Sequence, residues 1–124
     1  MARLLIVEDN TDLLEILRQL LSRKHEVYAA QRGEEGIELA RAHHPDAVIL
    51  DLQLPSIDGV ETGLRIKQEL GGEVAILVLT AQSERTNRAA VLASGCCDAF
   101  MSKPAPLSEI ERRVDELLQG RETP

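Results

Sequence analysis

Acidic side chains stand directly after two separate apolar segments of the sequence. Glu8 and Asp9 follow the apolar residues 4–7. Asp51 follows the apolar residues 47–50. Uninterrupted apolar runs of this length are typical of parallel strands that are buried on both faces. The carboxyl ends of neighbouring parallel strands meet at one edge of a sheet, so we expect the three carboxylates to converge on one metal site.

A hydroxyl and an ammonium are expected near the same point. Thr80 follows a third apolar run at residues 74–79, and Lys103 follows a weaker strand candidate at residues 99–101. The set then holds a carboxylate nucleophile, a metal ion, a hydroxyl donor and a cation, which is what phosphoryl transfer onto a carboxylate requires. The metal ion we expect is Mg²⁺, because it fits best where a phosphate shares its coordination shell.

No general acid or base accompanies these groups. Gln53 stands two residues after Asp51, where phosphatases that work through an aspartyl-phosphate often carry an acid. An amide cannot activate water by taking its proton. The sequence therefore predicts an aspartyl-phosphate that decays slowly, in a protein that is not a turnover enzyme.

The rest of the sequence alternates strand and helix signals. A weaker strand candidate at residues 27–30 raises the number of predicted strands to five. The five predicted helices are one capped by Asn10 or Thr11, three at residues 33–43, 59–70 and 84–94, and one with an apolar stripe from Leu107 to Leu118. Such alternation is typical of α/β proteins with a parallel sheet. Right-handed crossovers then favour a doubly wound sheet of order 2-1-3-4-5 with helices on both faces.

The composition restricts the classes of function. A chain of 124 residues fits one domain, and its net charge of −7 argues against direct nucleic-acid binding. The longest apolar run is far shorter than the roughly 20 residues of a membrane span, and no signal-peptide pattern is present, so we expect no membrane contact and a cytoplasmic location. The adjacent Cys96 and Cys97 would bridge poorly and are expected to be reduced thiols.

Four segments of the sequence resemble the receiver domain of two-component response regulators. They are residues 4–10 with the acidic pair, residues 48–59 with Asp51, residues 79–81 with Thr80, and residues 95–104 with Lys103. They follow one another in the order typical of that family, and their combination at these spacings is highly specific. The fold of the family is the flavodoxin-like (βα)5 arrangement, with the same strand order as that reached above.

This resemblance implies a function for each acidic residue. Asp51 would accept a phosphoryl group from a histidine kinase or a histidine phosphotransfer protein. Glu8, Asp9 and Asp51 would bind Mg²⁺ through their side chains, and Gln53 would bind it through its backbone carbonyl.

The resemblance also implies a switch. Thr80 and Lys103 would contact the phosphoryl group, and Phe100 takes the place of the aromatic switch residue. In the family, the hydroxyl moves toward the phosphate and the ring turns inward to fill its place. The peptide bond between Lys103 and Pro104 is implied to be cis.

The resemblance extends to the organisation of the chain. Residues 1–119 would form the receiver domain, and residues 120–124 a tail or the start of a linker. A downstream output domain or target protein would read the switch. Relatives often dimerise through the fourth helix, the fifth strand and the fifth helix, and the sequence leaves open whether this chain does.

Two other functions remain as alternatives. A metal-dependent phosphatase could use Asp51 as its nucleophile toward small phosphates, although Gln53 argues against rapid turnover. A degenerate receiver would bind partners without phosphate. The argument against that alternative is the intact set of Glu8, Asp9, Asp51, Thr80 and Lys103.

Overall fold

Strands and helices alternate in the computed structural model of the protein, which describes residues 1–71, 73–81 and 88–122. The strands in these ranges are β1 (Arg3–Val7), β2 (Glu26–Ala30), β3 (Ala47–Leu50), β4 (Ala75–Thr80) and β5 (Ala99–Ser102). The helices are α1 (Thr11–Leu21), α2 (Gly33–His43), α3 (Gly59–Leu70), α4 (Arg88–Ala93) and α5 (Leu107–Glu122). None of these helices is long and apolar enough to span a membrane.

The strands form one parallel sheet in the order β2-β1-β3-β4-β5. This order confirms the doubly wound, flavodoxin-like arrangement that the sequence predicted. Strand β2 is added on one side of β1, and β3 and the later strands are added on the other side, so the topological switch point lies between β1 and β3. Folds of this kind bind their ligands at the carboxyl ends of the strands beside the switch point. The central strands β1 and β3 therefore define the edge at which a site is expected.

The register of the sheet brings the acidic residues together. Val7 and Leu50, the last residues of β1 and β3, pair with each other. Glu8 and Asp51 directly follow these two residues and so leave the sheet at the same level. The backbone N–H of Asp51 continues this pairing and donates to the carbonyl of Val7 over 3.0 Å. Two carboxylates that are distant in the sequence thus emerge side by side.

Helices cover both faces of the sheet. Helices α1 and α5 pack on one face, where Leu17 and Ile110 are buried, and helices α2, α3 and α4 pack on the other, where Ile66 and Val91 are buried. Successive strand residues point to opposite faces. Because both faces are covered, the central strands must be apolar at nearly every position, which explains their uninterrupted apolar runs.

The helices that flank the candidate site begin and end at residues suited to those positions. The side chain of Asn10 accepts a hydrogen bond from the N–H of Leu13 and caps α1, so Asn10 is the cap of the two candidates, Asn10 and Thr11, that the sequence offered. The side chain of Asp58 accepts one from the N–H of Glu61 and caps α3. Helix α3 ends at Leu70 and is followed by Gly71, whose φ of 73° lies in the left-handed region that glycine adopts without strain.

Helices α4 and α5 differ in their bounds from the predicted helices. The described part of α4 is shorter than the predicted helix at residues 84–94, and residues 84–87 lie outside the described ranges. Helix α5 continues beyond Leu118 to Glu122 and so enters the segment that was predicted to be a tail or linker. The prediction ended at the last residue of the apolar stripe, whereas a solvent-facing helix can continue without one.

Cys96 and Cys97 lie in the loop before β5 and are both buried. Both are free cysteines, consistent with the predicted reduced thiols. The loop packs directly on α3. A Cβ added to Gly63 of that helix would lie 2.4 Å from the carbonyl oxygen of Cys96. The absence of a side chain at residue 63 therefore allows the loop to approach the helix backbone.

A similar close approach occurs beside Asp51 and leads to a prediction about stability. A Cβ added to Gly59 would lie 2.3 Å from the carbonyl oxygen of Asp51 and 2.5 Å from the Cα of Leu52. Because both are backbone atoms, the clash cannot be relieved by a rotamer change. We expect Gly59→Ala to lower the free energy of unfolding by roughly 3 kcal/mol, measured by urea denaturation.

The control for this substitution is Gly120→Ala. Gly120 also lies in a helix, but a Cβ there would meet nothing within 4 Å. Alanine is favoured over glycine in helices by roughly 0.5–1 kcal/mol, so this variant should be at least as stable as the wild type. Equal stability of the two variants would contradict the close approach at Gly59.

Candidate functional site

Three carboxylates converge at the carboxyl ends of β1 and β3. One ligand oxygen from each of Glu8, Asp9 and Asp51 can be chosen such that all lie within 4.8 Å of one another. Glu8 is 2% exposed and Asp51 is 4% exposed, whereas Asp9 is open to solvent. The site is therefore buried at its base and accessible from one side.

Lys103 lies between the two buried carboxylates. Its Nζ is 2.6 Å from Oε1 of Glu8 and 3.1 Å from Oδ2 of Asp51. Burial alone would lower the pKa of Lys103, but the two carboxylates outweigh it and the pKa is raised, so the ammonium remains charged. Burial raises the pKa of Glu8, and the charge of Asp51 adds to this, while the hydrogen bond from Lys103 partly opposes it.

Backbone donors hold the remaining oxygens of the two buried carboxylates. The N–H of Asn10 donates to Oε2 of Glu8 over 3.1 Å, and the N–H of Gln53 donates to Oδ1 of Asp51 over 3.1 Å. Each donor lies two residues after the carboxylate that it contacts. The two side chains are thus oriented by their own loops, and the loop containing Gln53 turns back over Asp51.

The donor set is suited to a hard cation. Three carboxyl groups, those of Glu8, Asp9 and Asp51, meet the single ammonium of Lys103 at this site, so acidic groups outnumber basic ones. Oxygen ligands of this kind are preferred by hard divalent cations. The acidic cluster could therefore hold a metal ion.

Thr80 lies on β4, the strand next to β3 and Asp51, and Phe100 lies on β5, one strand further out. Thr80 ends β4 and is fully buried, and its carbonyl accepts a hydrogen bond of 2.9 Å from the N–H of Lys103. Phe100 of β5 is 2% exposed, so its ring points inward. The peptide bond between Lys103 and Pro104 is cis.

Comparisons with known proteins identify the family of this chain. The sequence profile described as the response regulator receiver domain matches residues 4–115. The chain belongs to the response regulator receiver domain family. It is a receiver domain of a two-component system, as the sequence motifs indicated. Receiver domains of this family typically bind Mg²⁺ and are generally not turnover enzymes.

Named relatives of this receiver include the response regulator MprA from several mycobacteria. The protein from Mycolicibacterium vanbaalenii is 38% identical over 123 residues, which is 98% of this chain and 52% of the relative. The protein from Mycobacterium leprae is 36% identical over 118 residues, which is 94% of this chain and 51% of the relative. The chain thus spans about half the length of the curated relatives that it matches.

One similar solved structure is a two-component response regulator of the LuxR family from Aurantimonas. It has a TM-score of 0.81 and 28% sequence identity, and the match covers 98% of this chain and 87% of that chain. A CheY-like receiver domain protein from Methanospirillum hungatei has a TM-score of 0.91 at 22% identity, covering 98% of this chain and 97% of that one. At that identity the likeness shows the fold alone, and the fold is the one described above.

Arg88 is a residue of this receiver to which sequence reasoning gave no role. Its guanidinium carbon lies 5.3 Å from the centroid of the Phe100 ring, and its Nη2 donates to the carbonyl oxygen of Phe100 over 3.0 Å. An arginine in a predicted helix is usually a solvated surface residue. No spacing in the sequence relates residue 88 to residue 100, so only the packing of α4 against β5 reveals this contact.

Proposed function

We propose that Asp51 accepts a phosphoryl group from a histidine kinase or a histidine phosphotransfer protein, and that phosphorylation switches a surface read by a partner. The observation that supports this proposal is the environment of Asp51. Asp51 is 4% exposed, and its Oδ2 lies 3.1 Å from Nζ of Lys103. The carboxylates of Glu8 and Asp9 lie close enough to Asp51 for all three to bind one metal ion. A buried carboxylate in such surroundings can act as a nucleophile toward phosphorus.

The transfer requires one bond to form and one to break. An oxygen of the Asp51 carboxylate forms a bond to phosphorus, while the bond from phosphorus to the donor's imidazole nitrogen breaks and its electron pair stays on that nitrogen. Negative charge then collects on the phosphoryl oxygens. The ammonium of Lys103 stabilises that charge, and the hydroxyl of Thr80 donates a hydrogen bond to one of the oxygens.

Mg²⁺ is the cofactor that we assign to the acidic cluster. The side chains of Glu8, Asp9 and Asp51 would hold it, together with the backbone carbonyl of Gln53. When bound, it would neutralise the charge of the transferred group and align that group with Asp51. The three carboxyl groups outnumber the single ammonium of Lys103, which favours a cation at this position.

The switch is proposed to act through Thr80 and Phe100. The phosphoryl group draws the Thr80 hydroxyl toward it, and the inward ring of Phe100 occupies the space beside that strand end. Phosphorylation thus favours one arrangement of α4 and β5 over another. A partner that binds one arrangement better than the other would read the signal.

The length of the relatives suggests how the receiver is used. Because this chain spans about half of the MprA proteins, we infer that residues 1–119 form a receiver that regulates an output domain or a separate target protein. Residues after 119 would then lead toward a linker. A homodimer through α4, β5 and α5 is the arrangement that we propose for the phosphorylated form.

Phosphorylation by a small donor tests the proposed chemistry and its dependence on metal. We expect incubation with acetyl phosphate and Mg²⁺ to add one phosphoryl group, detected by intact mass spectrometry. Removal of Mg²⁺ with EDTA should abolish the addition, and re-addition of Mg²⁺ should restore it. Hydroxylamine, which cleaves acyl phosphates, should remove the group.

Other results of the same experiment would favour the alternative functions. Continuous release of inorganic phosphate over many turnovers would favour a phosphatase. No added mass, together with no binding of beryllofluoride in the presence of Mg²⁺, would favour a receiver that acts without phosphate. Binding of beryllofluoride without added mass would mean that the aspartyl-phosphate is lost faster than it is measured.

A further inference from the structure

Arg88 makes two different contacts with the same residue. The positive charge of its guanidinium lies over the face of the Phe100 ring, with 5.3 Å between Cζ and the ring centroid. The same side chain donates a hydrogen bond of 3.0 Å to the carbonyl oxygen of Phe100. The first contact depends on the position of the ring, because the attraction comes from the ring's quadrupole. The second depends on the position of the strand.

The hydrogen bond connects a helix to the edge of the sheet. Strand β5 is the last strand in the order and pairs only with β4, so its outer backbone groups have no neighbouring strand. Edge groups of this kind need other partners. Arg88 of α4 supplies one for the carbonyl of Phe100. Helix α4 is therefore joined to β5 through a side chain that also touches the ring.

The ring contacted by Arg88 lies close to the strand end that carries Thr80. Phe100 pairs with Val78 on β4, and Thr80 follows two residues later on that strand. Because side chains alternate along a strand, Val78 and Thr80 point to the same face. Phe100 belongs to the same buried cluster as Val78 and Val91 of α4 on one face of the sheet. A shift of the ring would thus affect the surroundings of Thr80 and of α4 together.

We propose that Arg88 is a positioning residue that holds Phe100 inward and so couples α4 to the phosphoryl site. The inference rests on the proposed function, in which the inward ring accompanies contact between Thr80 and the phosphoryl group. A contact made only with the inward ring shifts the equilibrium toward that conformation. By thermodynamic linkage it also raises the affinity for a ligand that favours the same conformation.

Phe100 provides a direct test because it is the only phenylalanine in the sequence. Protein labelled with ring-¹³C phenylalanine gives ring signals from this residue alone. A soluble gadolinium chelate then measures how exposed the ring is, through the relaxation rate of its protons. We expect slow relaxation in the wild type, and in Arg88→Ala a rate increased by about threefold or more, since the cation–π contact is lost.

Arg41→Ala is the matched control for the labelling experiment. Arg41 is also an exposed arginine of a helix, but it pairs with Glu69 on the α2–α3 surface. Its loss changes the net charge equally and should leave the relaxation of the ring unchanged. A ring in Arg88→Ala that relaxes at the wild-type rate would overturn the proposal. This measurement needs no phosphodonor, so its outcome does not depend on whether Asp51 is phosphorylated.

A second measurement tests the coupling to the phosphoryl site. We expect the beryllofluoride concentration needed for half-saturation, with Mg²⁺ present, to rise about two- to fivefold in Arg88→Ala, as loss of a cation–π contact at an exposed arginine would produce. In a Phe100→Leu background the same substitution should change it by less than about twofold. An equal effect in both backgrounds would show that Arg88 does not act through the ring. Failure of the wild type to bind beryllofluoride would instead count against the proposed function alone.

Discussion

Asp51→Asn is expected to abolish the mass increase that acetyl phosphate and Mg²⁺ produce in the wild type. The amide of asparagine is a poor nucleophile and cannot form an acyl phosphate. The substitution keeps the size of the side chain and removes one of the crowded negative charges, so the variant should remain folded. Intact mass spectrometry measures the phosphorylation, and circular dichroism checks the fold.

Asp58→Asn is the matched control for Asp51→Asn. Asp58 lies in the same loop region but is exposed and caps helix α3 through its side chain. Asparagine is as good an N-cap as aspartate, so this variant should fold and accept a phosphoryl group as the wild type does. Continued phosphorylation of Asp51→Asn would mean that another carboxylate, such as Asp9, is the acceptor. Loss of phosphorylation in both variants would point to a disturbed loop.

Lys103→Met is expected to produce the second large effect, on stability as well as on phosphorylation. The Lys103 ammonium contacts both Glu8 and Asp51, which are 2% and 4% exposed. Removing the ammonium leaves two buried carboxylates without this cation. Breaking a buried ion pair in this way costs roughly 3 kcal/mol of unfolding free energy. Urea denaturation in EDTA should show a loss of this size, and phosphorylation should slow.

Added Mg²⁺ should restore much of the stability of Lys103→Met. A ligand that binds only the folded state stabilises it, and the variant lacks the ammonium that competes for the same carboxylates. The increase in stability on adding Mg²⁺ should therefore be larger in Lys103→Met than in the wild type. An equal increase in the two proteins would argue that the metal does not bind at Glu8 and Asp51.

Lys67→Met is the control that shows whether the effect of Mg²⁺ on Lys103→Met is specific to the acidic cluster or follows the loss of any ion pair. The side chain of Lys67 is 17% exposed, close to the 19% of Lys103, and it pairs with Asp98 over 2.6 Å. It also donates to the carbonyl of Val74. This pair lies outside the acidic cluster, so the stability lost in Lys67→Met should not depend on Mg²⁺.

Most of the candidate site could be predicted because its residues lie at strand ends. A buried parallel strand is recognisable from its apolar run, and the residue that follows it must emerge at the carboxyl edge of the sheet. Glu8, Asp51 and Thr80 could be located in this way. The helices at residues 33–43 and 59–70 were also predicted with the bounds observed, and Gly71 follows the second of them, as glycine commonly does at a helix end.

Other features could not be predicted because they depend on distances between elements. The C-terminal end of α5 was placed too early, because exposed helical residues carry no apolar pattern to mark it. The requirement for glycine at residue 59 depends on how closely α3 approaches the backbone of Asp51 and Leu52. The spacing of residues in the sequence indicates which of them lie on the same helix or strand. It does not indicate the distance between two helices or strands that pack against each other.

The sequence by itself determined the fold class, the strand order and the chemical types gathered at the carboxyl edge of the sheet. Apolar periodicity and strand ends are local properties of the chain, so they can be read directly from it. Only the tertiary structure decided that Lys103 bridges Glu8 and Asp51, and that Arg88 lies over Phe100. These contacts join residues from different elements, and their geometry follows from the register of the sheet and the packing of the helices on it.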